Sequence, residues 1–109
     1  MKKDPRVFID HILECIELIE DYLSDKTMDE FLASSQLQDA VIRRIEIIGE
    51  ATKKLPQDFK EKYPDIPWRE MSGMRDIIVH EYFGVDLKLT WRVAKKDIKE
   101  LKLKLEQLI

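Results

Sequence analysis

Cysteine, glycine and proline are scarce in this chain, and each scarcity removes a class of protein. The single cysteine, Cys15, has no intrachain partner, so neither a disulfide framework nor a Cys-rich zinc site is available. Three glycines and four prolines among 109 residues exclude collagen-like and low-complexity sequences and fit poorly with a turn-rich sandwich. Long apolar runs are missing too. Stretches such as Ala40 to Ile42 and Ile77 to Val79 reach only three residues, far short of the roughly 20 that a membrane span needs and of a signal-peptide core. The expectation is a cytoplasmic protein with no membrane segment. A chain of 109 residues leaves room for one core, a single domain over residues 1–109.

Charged residues and helix-forming apolar residues are abundant. Hydrophobic side chains make up 44% and charged ones 38%, a balance that suits helices with one apolar and one solvated face, so the expected class is all-α. Nineteen basic and 22 acidic side chains give a formal charge of −3. Residues 1–50 carry −6, residues 51–87 carry −1 and residues 88–109 carry +4. An acidic total weakens any argument from bulk charge for binding nucleic acid, although a local groove can still be positive. The basic C-terminal stretch reads most simply as the solvated face of a Lys-rich helix.

From Val7 onward, Phe8, Ile12, Cys15, Ile16, Ile19, Tyr22 and Leu23 share one face, and Asp10, Glu14, Glu17 and Asp21 share the other. That is the period of an amphipathic helix. Thr27-Met28-Asp29-Glu30 has the Thr-x-x-Glu form of a capping box and predicts a short helix over 28–33. Ser34 or Ser35 can cap a long helix with Leu37, Val41, Ile45, Ile48 and Leu55 on one stripe and Ala40, Ile47 and Ala51 beside it, stopped by Pro56. Between Pro56 and Pro67 the sequence predicts a connector with one helical turn around Phe59 to Tyr63, for which Asp58-x-x-Glu61 offers a cap. Pro67 suits the first turn of a helix carrying Trp68, Met71, Arg75 and Ile78 to about Tyr82, which Gly84 can end in the left-handed conformation. Asp86 can cap a last helix bearing Leu87, Trp91, Ala94, Ile98, Leu101, Leu105 and Leu108. Four substantial helices with short connections, plus one or two short extra helices, make an antiparallel up-and-down four-helix bundle.

A hydrolase without a metal or a nucleophilic cysteine usually needs a histidine to move protons near neutral pH, and the chain has two. His11 lies four residues before Cys15, but only His80 is left to join them, which is too few ligands for structural zinc. A packed or surface-edge histidine is the simpler reading of His11. His80 lies in Gly73-Met74-Arg75-Asp76-Ile77-Ile78-Val79-His80-Glu81-Tyr82-Phe83-Gly84, where an Arg, a His and a Tyr crowd one helix end. Arg75 offers a planar, permanently charged fork to a phosphodiester. His80 can take or give a proton, and Tyr82 can donate a hydrogen bond or accept a modifying group. On a straight helix Arg75 and Tyr82 nearly share a stripe, but His80 is rotated about 140° from Arg75. Both reach one phosphate only if the helix ends near His80 or a second copy of the motif completes the site across a dimer. Spacing alone also fits a plain helix end, with Asp76 touching His80 at i,i+4, Arg75 salt-bridged and Tyr82 packed.

Arg75-x4-His80 followed by His80-x-Tyr82 resembles the motif of the HEPN superfamily, and in particular the HepT-like toxins of bacterial and archaeal toxin–antitoxin pairs. Ile47-Ile48-Gly49-Glu50-Ala51, Tyr63-Pro64-x-Ile66-Pro67-Trp68 and Tyr82-Phe83-Gly84-Val85-Asp86 with Trp91 are similar to the same family, so the resemblance covers nearly the whole chain. It implies a HEPN-like helical bundle that dimerises so that two Arg-x4-His motifs share a cleft. The implied activity is that of a metal-independent endoribonuclease with no cofactor. RNA brings its own nucleophile, the 2′-hydroxyl, so a base, an acid and charge stabilisation suffice, and two histidines from two chains can divide the proton transfers. By the same resemblance His80 is the general base or acid, Arg75 stabilises the pentacovalent phosphorane, and Asp76 orients His80 or the cleft. The family often has Asn at this last position, and an Asp places extra negative charge beside the phosphate. Tyr82 matches the tyrosine that a cognate MntA-like nucleotidyltransferase antitoxin modifies with AMP. Such a group would occupy Arg75 and repel RNA.

Arg43, Arg44, Lys53 and Arg69 are candidates for further RNA contacts, set against the ordinary role of surface cations. Gly49 and Gly73 each weaken an expected helix by about 1 kcal/mol relative to Ala, which points to close packing of a helix, a dimer mate or a ligand. Trp68 and Trp91 lie on apolar stripes and read as core more than as base-stacking platforms. Two rival readings use the same bundle. One is a non-catalytic dimeric module that binds a nucleotidyltransferase partner, a nucleotide or both; the other is a purely structural bundle.

Overall fold

In the computed structural model, which describes residues 4–80 and 84–108, helices begin where side chains satisfy free backbone N–H groups. Helix α1 (Pro5–Leu23) starts two residues before its apolar stripe, because Pro5 takes the first turn and Asp4 accepts from the Arg6 N–H at 2.9 Å. Helix α2 (Met28–Leu32) is opened by the expected capping box. Thr27 Oγ1 accepts from the Glu30 N–H and Glu30 Oε1 from the Thr27 N–H, both at 3.1 Å. Ser34 caps α3 (Ser35–Lys53) by accepting from the Leu37 N–H at 3.1 Å. The expected turn after Pro56 is α4 (Gln57–Lys62), but its cap is corrected: Pro56 is the N-cap residue, and the Asp58 carboxylate accepts from its neighbour Phe59 at 3.0 Å.

The single helix expected from Pro67 to about Tyr82 is corrected as well. It is divided into α5 (Trp68–Ser72) and α6 (Met74–Ile78) at Gly73, whose φ of −99° and ψ of 6° leave the helical region. After Ile78 the chain extends, with Val79 at φ −106° and ψ 116°. Two short strands, β1 (Val79–His80) and β2 (Gly84–Val85), then pair antiparallel, with Val79 opposite Val85 and His80 opposite Gly84. The run Ile77-Ile78-Val79 explains the change, since three β-branched residues in sequence favour extended backbone over another helical turn. Gly84 has the left-handed φ expected of it, +75°, but serves the hairpin and not a helix end.

Asp86 caps α7 (Leu87–Arg92) by accepting from the Leu89 N–H at 3.0 Å. The helix continues through a π-helical stretch, Val93–Asp97, into α8 (Ile98–Glu106). Within that stretch Lys95 Nζ donates to the Leu23 carbonyl at 3.2 Å and lies 5.1 Å above the Trp91 ring. A cation thus meets the free carbonyls at the end of α1. Lys102 Nζ reaches Glu20 Oε1 at 2.8 Å, so α1 and α8 run antiparallel. Helix α1 packs on α3 and α8, α3 also packs on α5 and α6, and α7 packs on α2 and α6.

The fold is all-α as expected, with α1, α3 and the run from α7 to α8 as its long helical segments and α2, α4, α5 and α6 short. Ile12, Ile16 and Ile19 of α1, Ile45 and Ile48 of α3, Met71, Ile78, Ile98 and Leu105 are fully buried and make the core. No described helix is long and apolar enough to cross a membrane. A side chain on Gly49 would begin 3.2 Å from the Ser72 carbonyl oxygen and 3.5 Å from that of Met71, so α3 and α5 are close there, as expected. At Gly73 the expected close packing against another helix is not seen among the described residues: the nearest atom to a Cβ at that position is Arg69 O at 3.6 Å, an ordinary contact. Gly49→Leu is therefore expected to lower unfolding free energy by about 2–3 kcal/mol through overpacking, whereas Gly73→Ala stays within about 1 kcal/mol of the parent. Urea denaturation checks this, and equal losses in the two variants would contradict it.

Candidate active site

Arg75 is the second residue of the five-residue α6, which packs on α3 and buries Met74 and Ile78. The Arg75 side chain is about half exposed (53%), with Nε 3.5 Å from Glu46 Oε2 on α3 and Nη1 3.7 Å from Asp76 Oδ1. It therefore sits between two carboxylates on the seam of α3 and α6. Asp76 is the more solvated of the two, at 79% against 34% for Glu46. Because α6 stops at Ile78 and Val79 is extended, Arg75 and His80 do not sit on divergent faces of one helix. Of the two arrangements that spacing left open, the structure shows a helix that ends close to His80, at Ile78. The His80 backbone pairs with Gly84, and the Asp86 N–H donates to the Ile78 carbonyl at 2.7 Å, which ties the end of α6 to the start of α7. The side chain of His80, and Tyr82 with its neighbours Glu81 and Phe83, lie outside the described residues.

The other sequence candidates separate by face. At 100° per residue Lys53 falls within about 20° of Glu46 and Arg43 about 60° from it, so both share the α3 edge that meets Arg75, while Arg44 is about 160° round. Arg44 is half-buried and close to Cys15 of α1, where burial pushes the thiol up and the Arg44 guanidinium pulls it partly back. Lys53 is exposed and 3.6 Å from Glu50. Arg69 is exposed and lines a shallow pocket between α4 and α5 with Gln57, Lys60, Trp68 and Ser72. Its helix abuts α3 at Gly49, midway along the edge from Glu46 to Lys53. Trp68 is core, as expected, its Nε1 donating to the carbonyls of Lys60 and Tyr63 at 3.1 Å each. Trp91 is half-buried, 5.7 Å from the Phe31 ring.

Glu46 is the residue of this seam that sequence reasoning missed. Helical spacing sets it three residues before Gly49, on the flank of the apolar stripe. That position signals an edge, and nothing local links it to an arginine on another helix.

A family profile described as ribonuclease HepT-like matches residues 12–108. The chain belongs to the HepT-like ribonuclease family. A protein of Methanocaldococcus jannaschii, named as a gamma-glutamylcyclotransferase and candidate RNase, is 64% identical over 102 residues, 94% of this chain and 46% of its own length. This chain thus spans about half of that relative. A Thermococcus cleftensis protein, named as a probable ribonuclease HepT, is 48% identical over 99% of this chain and 98% of its own. A second M. jannaschii protein, named as a candidate RNase, is 44% identical over 99% of this chain and 93% of its own. No solved structure gives a significant match. The matched HepT-like range takes in the seam from Arg43 to Lys53 and the run from Arg69 to Tyr82.

The buried Cys15 thiol has a measurable consequence. Its folded pKa lies above the ordinary value of 9.0, so its contribution to stability is complete below that pH and is lost as pH rises through the folded pKa, with a slope of at most about 1.4 kcal/mol per pH unit. Wild type is expected to lose urea resistance faster than Cys15→Ala above about pH 9. Parallel curves for the two proteins would contradict the assignment.

Proposed function

We propose that this chain is the endoribonuclease toxin of a type VII-like toxin–antitoxin pair, cleaving RNA without a metal through Arg75 and His80. The observation that carries the reading is the ribonuclease HepT-like match over residues 12–108, which contains the whole Arg75-x4-His80-x-Tyr82 run. Relatives named for RNase activity that align with nearly the full chain support RNA as substrate. The end of α6 at Ile78 supports the joint use of Arg75 and His80, because a continuing helix would turn them apart.

In this reading one His80 removes the proton of the RNA 2′-hydroxyl, and that oxygen attacks the adjacent phosphorus. The bond from phosphorus to the 5′-oxygen breaks, and the leaving oxygen takes a proton from the partner's His80 in the shared cleft of a homodimer. The products are a 2′,3′-cyclic phosphate and a 5′-hydroxyl. Arg75 stabilises the charge of the phosphorane, and Asp76, 3.7 Å from Arg75 Nη1, orients the cleft while weakening its positive field. Arg43, Lys53 and Arg69 follow the RNA backbone along the α3 edge; Arg44, beside Cys15, contributes least. An MntA-like nucleotidyltransferase antitoxin silences the enzyme by joining AMP from a nucleoside triphosphate to the Tyr82 oxygen, with pyrophosphate leaving. The new phosphate then competes with RNA for Arg75.

A second reading, a non-catalytic dimeric module for a nucleotidyltransferase partner or a nucleotide, draws on one observation. Arg75 already faces two carboxylates within 4 Å, which lessens its pull on phosphate.

Purified wild type incubated with a defined RNA in EDTA is expected to leave cyclic phosphate ends, and His80→Ala to cleave at least about 100-fold more slowly. Absence of cleavage by either, from unmodified protein of confirmed mass, would favour the binding module. Asp76→Asn is expected to tighten RNA binding several-fold at low salt, roughly as removal of one like charge near a phosphate should. An unchanged affinity would remove Asp76 from the cleft.

A further inference from the structure

On the seam between α3 and α6, we infer that Glu46 is a positioning residue: through Nε it holds the Arg75 guanidinium in the pose that receives a phosphodiester. The inference rests on the ribonuclease reading above and extends it to a residue on another helix. The contact is Nε to Oε2 at 3.5 Å, between elements distant in sequence. Arg75's own helix has five residues bounded by Gly73 and the extended Val79. The 19-residue α3 is the rigid element, and it is seated against α5 at Gly49, about one turn beyond Glu46. Glu46 thus projects from the long helix of the seam, about one turn from its close contact with α5.

Stability does not account for this pair. The two side chains are 53% and 34% exposed, and ion pairs that solvated contribute little to folding. Orientation does account for it. An arginine side chain loses much rotamer freedom when it is fixed, and fixing it before substrate arrives removes that loss from the reaction. Engagement of Nε by Glu46 leaves the Nη edge of the fork for phosphate. The competitor on that edge is Asp76, whose contact is longer, at 3.7 Å, and whose side chain is 79% exposed and easily displaced. Glu46 also carries a negative charge near the incoming phosphate, so it helps geometry while opposing affinity. Its removal should therefore separate kcat from KM.

The test follows the Arg75 Nε–Hε resonance in isotopically labelled full-length protein. In wild type it is expected away from the free-arginine position. Glu46→Ala should return it there, and Glu46→Gln, which keeps an acceptor at the same reach, should largely preserve it. An uncleavable 2′-O-methyl RNA should shift the signal in wild type and much less in Glu46→Ala. In cleavage, Glu46→Ala should lower kcat by about three- to fivefold with KM unchanged or lower, as loss of a solvated ion pair allows, and Glu46→Gln should stay within about twofold of wild type. A resonance indifferent to Glu46→Ala, or an unchanged kcat in that variant, overturns the proposal. If wild type fails to cleave while the resonance behaves as expected, the ribonuclease reading fails and the hold of Glu46 on Arg75 stands.

Discussion

The Ser72 carbonyl oxygen lies 3.2 Å from where a side chain on Gly49 would begin, and the candidate site depends on that approach. Packed interiors do not absorb extra atoms freely, so any side chain at position 49 would push α5 away from α3. Helix α6 follows α5 after one residue, and with it would move Arg75 relative to Glu46. The far end of α6 is fixed differently. Ile78 is fully buried and its carbonyl accepts from the Asp86 N–H at 2.7 Å. Arg75 thus lies between two anchored points, a helix-to-helix contact on one side and a buried isoleucine tied to the next helix on the other.

Charge at the seam is balanced more than bulk composition suggests. The chain is acidic overall, with a formal charge of −3, and the candidate phosphate-binding arginine has two carboxylates within 4 Å. Lys53 is likewise 3.6 Å from Glu50. Half-exposed pairs of this kind are screened by water and salt, so an incoming polyanion can exchange one carboxylate for a phosphate at modest cost. The arrangement favours a weakly charged groove in which orientation of a few donors matters more than total potential. Two lysines of the C-terminal helix are engaged away from this seam, Lys95 at the end of α1 and Lys102 with Glu20.

What was legible in the sequence was local. The Thr27 capping box and the Ser34 and Asp86 caps each lie within a few residues, and each formed as read, whereas α3 ends at Lys53 and leaves Leu55 of its expected stripe beyond the helix. The failures came where local signals competed. Arg75 to Tyr82 keeps a helical spacing of polar groups, but Ile77, Ile78 and Val79 prefer extended backbone, and burial of Ile78 together with pairing of Val79 to Val85 decided the outcome. The π-helical stretch at Val93–Asp97 has no sequence signature, because it is defined by where Lys95 and its neighbours meet α1. For the site, the Arg75 motif was visible as a spacing, while Glu46 was not, since its partner comes from another helix and only packing brings them together.

The three glycines show how differently one residue type can be required. Gly49 answers to space, because backbone of another helix occupies the volume its side chain would fill. Gly84 answers to conformation: its φ is +75°, and among the described residues nothing lies within 4 Å of a Cβ built there, so an alanine would be strained by its backbone. Gly73 answers to neither among the described residues and marks the break between α5 and α6. Two of these constraints flank the candidate site. Gly49 fixes the seam on which Arg75 is held, and Gly84 fixes the strand that pairs with His80. Position on one side and backbone conformation on the other together set where Arg75 stands relative to the backbone of His80, a relation that a continuous helix through this segment would not permit.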